Sequence, residues 1–405
     1  MNPRLPVPGD FAPAPDPATR ARWTDADRTH QPGRLGELRQ RLAGAGVDAY
    51  FAVKPEHMRW LTGFTLGNGE EKVAGHSGQL LVGGDRVVLV TDSRYTIQAR
   101  REAPAAVIEE IGYDLPGAWE RLTAAVGARR VAVEAGAVSH ALWQQLAAAA
   151  PGVELVAAEP WLERMRAIKT ADEIERIAAA CAVADRALAA LLPEIRAGVT
   201  EHDLALRLEW LMRTGGAESL AFDVACLSGP EAALPHGAPG HRPVLAGNVL
   251  LFDFGAQVEG YRSDMTRTLF IGEPTARDLA VYELVLHAQQ AAIEAVRAAA
   301  LAGSVTDGRA IDAVARGVID ADGRWPAYGH GLGHGIGLVT HEEPRLSRAA
   351  PETPLPSPTV FPVEPGIYLE GQTGVRIEDL VALDAGAGRA DLLTHFPRDV
   401  IALPA

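Results

Sequence analysis

Leu35, Leu38 and Leu42 fall on one face of a helix that Gly44 and Gly46 bring to a close, and Asp48–Val53 then reads as a strand. Strand patterns return at Gln79–Val82, Arg86–Thr91 and Arg130–Glu134, alternating with helical patterns at Tyr95–Glu102 and Gly117–Val126. Such alternation predicts a small α/β domain ending near Pro160. Thr170 and Glu173 have the spacing of a capping box. The helix they open puts Ile174, Ile177, Cys181, Ala184 and Leu188 on a buried face, and Gly198 stops it. A second helix starts near Thr200 with Leu204, Leu208 and Leu211 inward, a third spans Thr275–Ala300, and a fourth starts near Thr306. Ala197-Gly198-Val199-Thr200 and Ala302-Gly303-Ser304-Val305-Thr306 echo one another ahead of two of these helices. Two related halves, each helical and then β, would place a site at their junction. Residues 1–30 differ: Pro3, Pro6, Pro8, Pro13, Pro15 and Pro17 interrupt a stretch without periodicity, which reads as a flexible or extended arm packed on a neighbour. The expected division is therefore an arm over 1–30, an N-terminal domain over 31–160 and a second domain over 161–405.

Composition narrows the class. The chain has 405 residues, 47% hydrophobic and 22% charged, the balance of a folded protein of about two domains. Its net charge of −14 argues against nucleic acid or an anionic membrane as partner. Two cysteines, Cys181 and Cys226, are too few for a disulfide framework and fit a reducing compartment. No apolar run approaches the roughly 18 residues that span a bilayer, and the N-terminus has no secretory pattern. The expectation is a soluble cytoplasmic protein.

Chemistry is concentrated in the second half. In Val249-Leu250-Leu251-Phe252-Asp253-Phe254-Gly255 a carboxylate ends an apolar run, which is costly without a neutralising partner. Asp264 follows in Tyr261-Arg262-Ser263-Asp264-Met265-Thr266-Arg267-Thr268, so a hairpin bracketed by Gly255 and Gly260 brings two carboxylates side by side. Taken alone, the pair is explained as well by a salt bridge to Arg262 or Arg267. Tyr328-Gly329-His330-Gly331-Leu332-Gly333-His334-Gly335-Ile336-Gly337-Leu338 has glycine at alternate positions, which disfavours helix and suits extended chain approached closely by another group. His330 and His334 then share a face, and with His341 they make three of the chain's 12 histidines. Glu364 precedes a turn at Pro365-Gly366, and Glu378 lies in an alternating strand with Arg376 on its face. Asp253, Asp264, His334, Glu364 and Glu378 supply four carboxylates and one imidazole. Hard oxygen ligands in that ratio suit a pair of divalent cations, Mn²⁺ above all, with Co²⁺ or Zn²⁺ as alternatives to it.

These segments resemble the metallopeptidase family of creatinase, prolidase, Xaa-Pro aminopeptidase and methionine aminopeptidase. The resemblance extends from about residue 34 onward. Leu61-Thr62-Gly63-Phe64 and Thr91-Asp92-Ser93-Arg94-Tyr95 are similar to the N-terminal domain of creatinase and prolidase. Ser219-Leu220-Ala221-Phe222-Asp223 and Ala233-Leu234-Pro235-His236-Gly237 are similar to the bacterial prolidase and aminopeptidase branch. The resemblance implies an α/β (α+β) chain, a creatinase-like N-terminal domain followed by a pita-bread catalytic domain with pseudo-two-fold halves. It implies Asp253 on one ion, His334 and Glu364 on the other, and Asp264 and Glu378 bridging both. It further implies Glu364 as proton shuttle, His341 and His236 as catalytic histidines at the substrate carbonyl, and His236, His330, His341 and Arg376 as residues lining the substrate pocket. Val339-Thr340 departs from the family's more usual residues before the histidine at 341.

The activity implied is hydrolysis of the Xaa-Pro bond by a metal-bridged hydroxide, in dipeptides foremost, with an Xaa-Pro aminopeptidase acting on longer peptides as the rival. Small peptides with proline second are the expected partners, and a homodimer the expected assembly. A catalytically dead interaction module of the same fold is the reading from a different class. Such relatives lose ligands, and this chain has every one.

Overall fold

The computed structural model describes residues 4–67, 77–304 and 306–405, so Pro3 and Val305 lie outside the described residues. The chain divides into two units, Ala18–Met165 and the residues up to Pro17 together with Arg166–Ala405. Among the described residues no helix is long and apolar enough to cross a membrane.

The arm differs from its expectation. Helix α1 starts at Pro17 and runs to Ala45, because proline suits the first helical position and Ala18, Arg20, Ala21 and Arg22 are good helix formers. Pro32 is accommodated inside it. The preceding residues pack on the catalytic unit itself: the Phe11 ring stacks 6.2 Å from that of Phe396, and Arg186 donates to the Ala12 carbonyl.

The N-terminal unit contains β1 (Ala49–Ala52), α2 (Pro55–Thr62), β2 (Gln79–Val82), β3 (Val87–Thr91), α3 (Thr96–Glu102), β4 (Val107–Glu110), α4 (Leu115–Ala125), β5 (Arg130–Val133), α5 (His140–Ala149) and β6 (Glu154–Ala157). Its six strands form one mixed sheet in the order β4-β3-β2-β1-β5-β6. Phe51, Leu81, Val88, Val131 and Val133 bury against Trp119, Leu122 and Leu146 of the helices. Continuous burial of the inner strands explains their unbroken apolar runs.

Helix α6 (Trp161–Ala167) leads into α7 (Ala171–Leu191) and α8 (Glu201–Thr214). The Thr170 capping box forms as expected: its hydroxyl accepts from Glu173 N at 3.3 Å, and Glu173 accepts from Thr170 N at 2.7 Å. Strands β7 (Ser219–Leu220), β8 (Ala225–Ser228), β9 (Val249–Phe254), β10 (Ala256–Val258), β11 (Tyr261–Arg262) and β12 (Met265–Ile271) follow. The second half repeats the order with α9 (Ala276–Leu301), α10 (Gly308–Asp322), β13 (Gly333–Gly335), β14 (Glu342–Leu346), β15 (Thr359–Val363), β16 (Gly366–Leu369), β17 (Thr373–Arg376), β18 (Asp379–Asp384), β19 (Arg389–Leu392) and β20 (Ala402–Leu403).

The echo has a structural counterpart. Thr200 and Asp307 each cap the shorter helix of a half, and each forms a lone antiparallel bridge to a later proline, Pro243 and Pro354. Asp307, not Thr306, is the cap, because its carboxylate reaches Ala310 N at 2.8 Å. Val281, Val285, Ala292 and Val296 of α9 fill the core against Leu251, Phe270, Phe361, Val375 and Val381 from strands of both halves. This core holds the two sets of strands that carry the acidic residues.

Candidate metal centre

Antiparallel pairing of β9 and β12 sets Asp253 opposite Thr266. Asp264 lies just before β12, two residues ahead of Thr266, and its carboxylate comes to the same cluster as that of Asp253. A small β10–β11 hairpin intervenes between the two paired strands, so the pair is reached through a more elaborate turn than the sequence suggests. The neutralising partner of Asp253 is neither Arg262 nor Arg267 but Arg376, whose Nη2 donates at 2.6 Å.

Glu378 corrects a second expectation. It lies in the two-residue junction between β17 and β18, not within one strand. Its backbone N donates to Thr266 O at 3.2 Å, and its Oε2 accepts from Thr266 Oγ1 at 2.7 Å. Arg376 Nε reaches the same hydroxyl at 2.9 Å, so Thr266 ties the two strands together at the cluster. Carboxylate oxygens of Asp253, Asp264 and Glu378 lie within 4.8 Å of one another. Glu364 leaves the end of β15 with its N donating to Leu332 O at 2.9 Å.

The glycine frame behaves as its composition predicts. A Cβ on Gly333 would sit 2.0 Å from Pro362 O, and one on Gly335 2.0 Å from Glu343 O. Only Gly333–Gly335 is strand, so the alternation does not extend back to His330. His334 stands with Nε2 3.7 Å from both Asp264 Oδ2 and Glu364 Oε1, while its Nδ1 faces Gly335 O at 3.0 Å. That second contact fixes Nδ1 as donor and leaves Nε2 open as a ligand atom. The ring of His341 lies 4.3 Å from that of His334. His330 takes a different place, bonded through Nε2 to Tyr368 Oη at 2.9 Å, and Arg376 Nη1 donates to the same oxygen at 3.0 Å. His236 is exposed on its loop, close enough to perturb Asp253 and His341.

Sequence reasoning missed Thr266 and Tyr368. The i+2 spacing from Asp264 marks Thr266 as a neighbour. No local signal marks Tyr368, whose role depends on pairing between β16 and β17.

Burial dominates the electrostatics. It raises the carboxyls of Asp264 and Glu364 well above the usual range, with Glu378 adding repulsion to each. Burial and then Asp253 push Glu378 up to about 8. Asp253 is raised by burial against the opposing pull of Arg376. His334 is lowered to about 4 by burial and then by His341, and His341 is lowered by burial and then by His236. Both imidazoles are held toward the neutral form that ligates metal or hydrogen-bonds substrate.

These shifts predict how the metal-free protein responds to pH. A carboxyl raised in the folded state contributes stability that is present below its unfolded value and lost as pH rises through its folded value. His330 and His334, both lowered to about 4, act in the opposite sense, and only the smaller last part of that change, as the unfolded imidazoles lose their remaining protons, falls above pH 6.5. Above it, Glu378 at about 8 and Asp185, raised by burial to about 7, set the slope. The chelator-stripped protein is expected to lose at least about 2 kcal/mol between pH 6.5 and 8, read by denaturant unfolding. A flat or rising profile there contradicts the assigned cluster electrostatics.

Paired helices and strands in two repeated halves, with acidic residues of both converging beside neutral imidazoles, define a pita-bread metallopeptidase. The chain belongs to metallopeptidase family M24, whose model matches residues 175–385, and the creatinase/prolidase N-terminal domain matches residues 34–168. The Xaa-Pro dipeptidase of Pyrococcus furiosus is 32% identical over 369 residues, covering 91% of this chain and 99% of that one. The solved Xaa-Pro dipeptidase from Bacillus anthracis matches with a TM-score of 0.83 at 31% identity, covering 92% of this chain and 100% of that one. An X-Pro aminopeptidase from Thermotoga maritima matches with a TM-score of 0.77 at 35% identity, covering 88% and 98%.

The family implies divalent metal ions, and the residues fit them. Asp253 Oδ1 is buried without a hydrogen-bond partner among the described residues, an expensive state that a cation relieves. The converging carboxylates repel one another unless a cation or protons intervene, and the donor set is mostly hard oxygen.

Proposed function

We propose that this chain hydrolyses the peptide bond before proline in Xaa-Pro dipeptides, using two divalent ions, Mn²⁺ foremost, held by Asp253, Asp264, His334, Glu364 and Glu378. The observation that carries this reading is the buried convergence of these side chains around an unpartnered Asp253 oxygen. Ions bound there supply Lewis acidity, which brings the pKa of a coordinated water toward neutrality and polarises the substrate carbonyl.

The chain's own residues supply the rest. Glu364 moves the proton from the attacking water to the proline nitrogen, which needs it because an amide anion is a poor leaving group. His341 and His236 hydrogen-bond the developing oxyanion, and burial keeps His341 a neutral donor. Arg376 offsets the charge of Asp253 and, through Tyr368, orients His330 on the pocket wall. A site without an acceptor for the missing N–H selects the Xaa-Pro bond.

The two dipeptidase relatives support this substrate class, and the Thermotoga aminopeptidase supports the rival reading. Our reading includes an N-terminal domain over 31–160, a catalytic domain over 161–405, a homodimer as the working unit and a cytoplasmic setting. The buried unpaired thiols of Cys181 and Cys226 are consistent with a reducing compartment. Protein stripped with chelator and reloaded with Mn²⁺ is expected to cleave Leu-Pro and to leave an Xaa-Pro-Xaa tripeptide largely intact. Preference for the tripeptide makes it an aminopeptidase, and silence on both, with metal bound, overturns the peptidase assignment.

A further inference from the structure

Glu342 follows His341 directly, yet its side chain is only 4% exposed and points away from solvent into two cations. Lys169 Nζ donates to Glu342 Oε1 at 2.7 Å, and Arg166 binds the other oxygen. Those cations are themselves 1% and 3% exposed, so the trio is dry and its charges have each other as partners. The anchor beneath it is stiff. Lys169 Nζ also donates to Arg166 O at 2.6 Å, and its backbone N to Pro358 O at 2.8 Å. The next residue, Thr170, is locked in the capping box of α7.

Glu342 opens β14, where its Cα partner is Gly335, the residue whose carbonyl faces His334 Nδ1. The other end of the intervening segment is tied separately, by Arg262 N to Gly337 O at 2.9 Å and Arg262 Nη1 to Thr340 Oγ1 at 3.0 Å. Glu342 thus joins the cation pair to the stretch that carries both imidazoles through its two carboxylate oxygens.

We infer that Glu342, clamped by Lys169 and Arg166, is a positioning residue that sets the places of His341 and His334 together. The inference rests on the proposed roles of those two histidines. A ring displaced by about 1 Å costs on the order of a hundredfold in rate, and a disturbed partner of a metal-ligating histidine about 10–100-fold in metal affinity or activity.

The test compares Lys169→Met, Lys169→Arg, Glu342→Gln and His341→Ala in Mn²⁺-loaded enzyme, measuring kcat, KM, the Mn²⁺ dissociation constant and Tm. Glu342→Gln takes the carboxylate away from two buried cations and endangers folding, whereas Lys169→Met keeps the Arg166–Glu342 ion pair and is the variant that decides. Lys169→Met is expected to lower kcat about 30–100-fold and weaken Mn²⁺ binding about tenfold, with KM within threefold of wild type. Lys169→Arg is expected to restore kcat to within about fivefold, since it returns a cation to Glu342. A Lys169→Met protein that turns over within twofold of wild type, or that only melts lower with kcat and metal affinity unchanged, overturns the proposal. Full activity in His341→Ala overturns instead the functional reading on which it rests.

Discussion

Asp264→Asn is expected to lower kcat/KM at least about a thousandfold and to abolish the rise in Tm that Mn²⁺ gives the stripped wild-type protein. Asp264 is 5% exposed and faces Glu378, Asp253 and Glu364, the strongest like-charge crowding at the site. Removing its charge has opposite consequences in the two states. The loaded enzyme loses a carboxylate central to the cluster. The stripped protein loses repulsion, and at pH 8 Asp264→Asn is expected to stabilise it by about 1–3 kcal/mol. This inversion separates a metal site from an ordinary buried ion pair, whose loss destabilises under every condition. Glu364→Gln should behave differently, retaining part of the metal affinity while losing turnover, because it leaves the Asp253–Asp264–Glu378 group intact. Calorimetric titration with Mn²⁺ and melting with and without metal check each point. Wild-type turnover in Asp264→Asn, or an undiminished Mn²⁺-dependent shift, sinks the assignment.

Arg267→Met carries the second large effect, and it acts from behind the cluster. Arg267 is 1% exposed and spends its guanidinium on Thr266 O at 2.9 Å, Glu378 O at 2.6 Å, Asp379 Oδ1 at 2.6 Å, Phe396 O at 2.7 Å and Pro397 O at 3.1 Å. One of those carbonyls, Thr266 O, lies on β12 two residues after Asp264, and another is that of Glu378 itself. The Phe396 and Pro397 carbonyls are fixed in turn by Asp185, which accepts from His395 N at 2.9 Å and Phe396 N at 3.1 Å. Methionine fills similar space but leaves Asp379 with less of its compensation and several buried carbonyls unpaired. The expected cost is about 4 kcal/mol, a fall in Tm of roughly 8–16 °C, together with weakened Mn²⁺ binding as Glu378 loses its backbone anchor. Arg267→Lys should recover little, since one ammonium cannot span five acceptors on different segments. A melting temperature within about 2 °C of wild type, with Mn²⁺ affinity intact, refutes this account.

The ligand candidates were legible because each violates a local rule. Asp253 ends an apolar run, His334 stands in a glycine frame no helix tolerates, and Glu378 interrupts an apolar alternation. Most helix starts were legible for the same local reason, as Thr170, Thr200 and Thr275 each accept a bond from the amide three residues on. The helix over 17–30 was not, because prolines before it masked a stretch whose polar residues give no amphipathic stripe.

Sequence by itself determined the order of elements, the carboxylate and imidazole inventory, and the family resemblance, since all three reside in residue type and short spacing. Only the tertiary structure decided which charge meets which: Arg376 on Asp253 across 123 positions, Arg267 on Asp379 across 112, and Lys169 on Glu342 across 173. Periodicity reports the backbone state and burial of a segment, but ion pairs are fixed by how distant strands register, where one residue of slip turns every side chain to the other face.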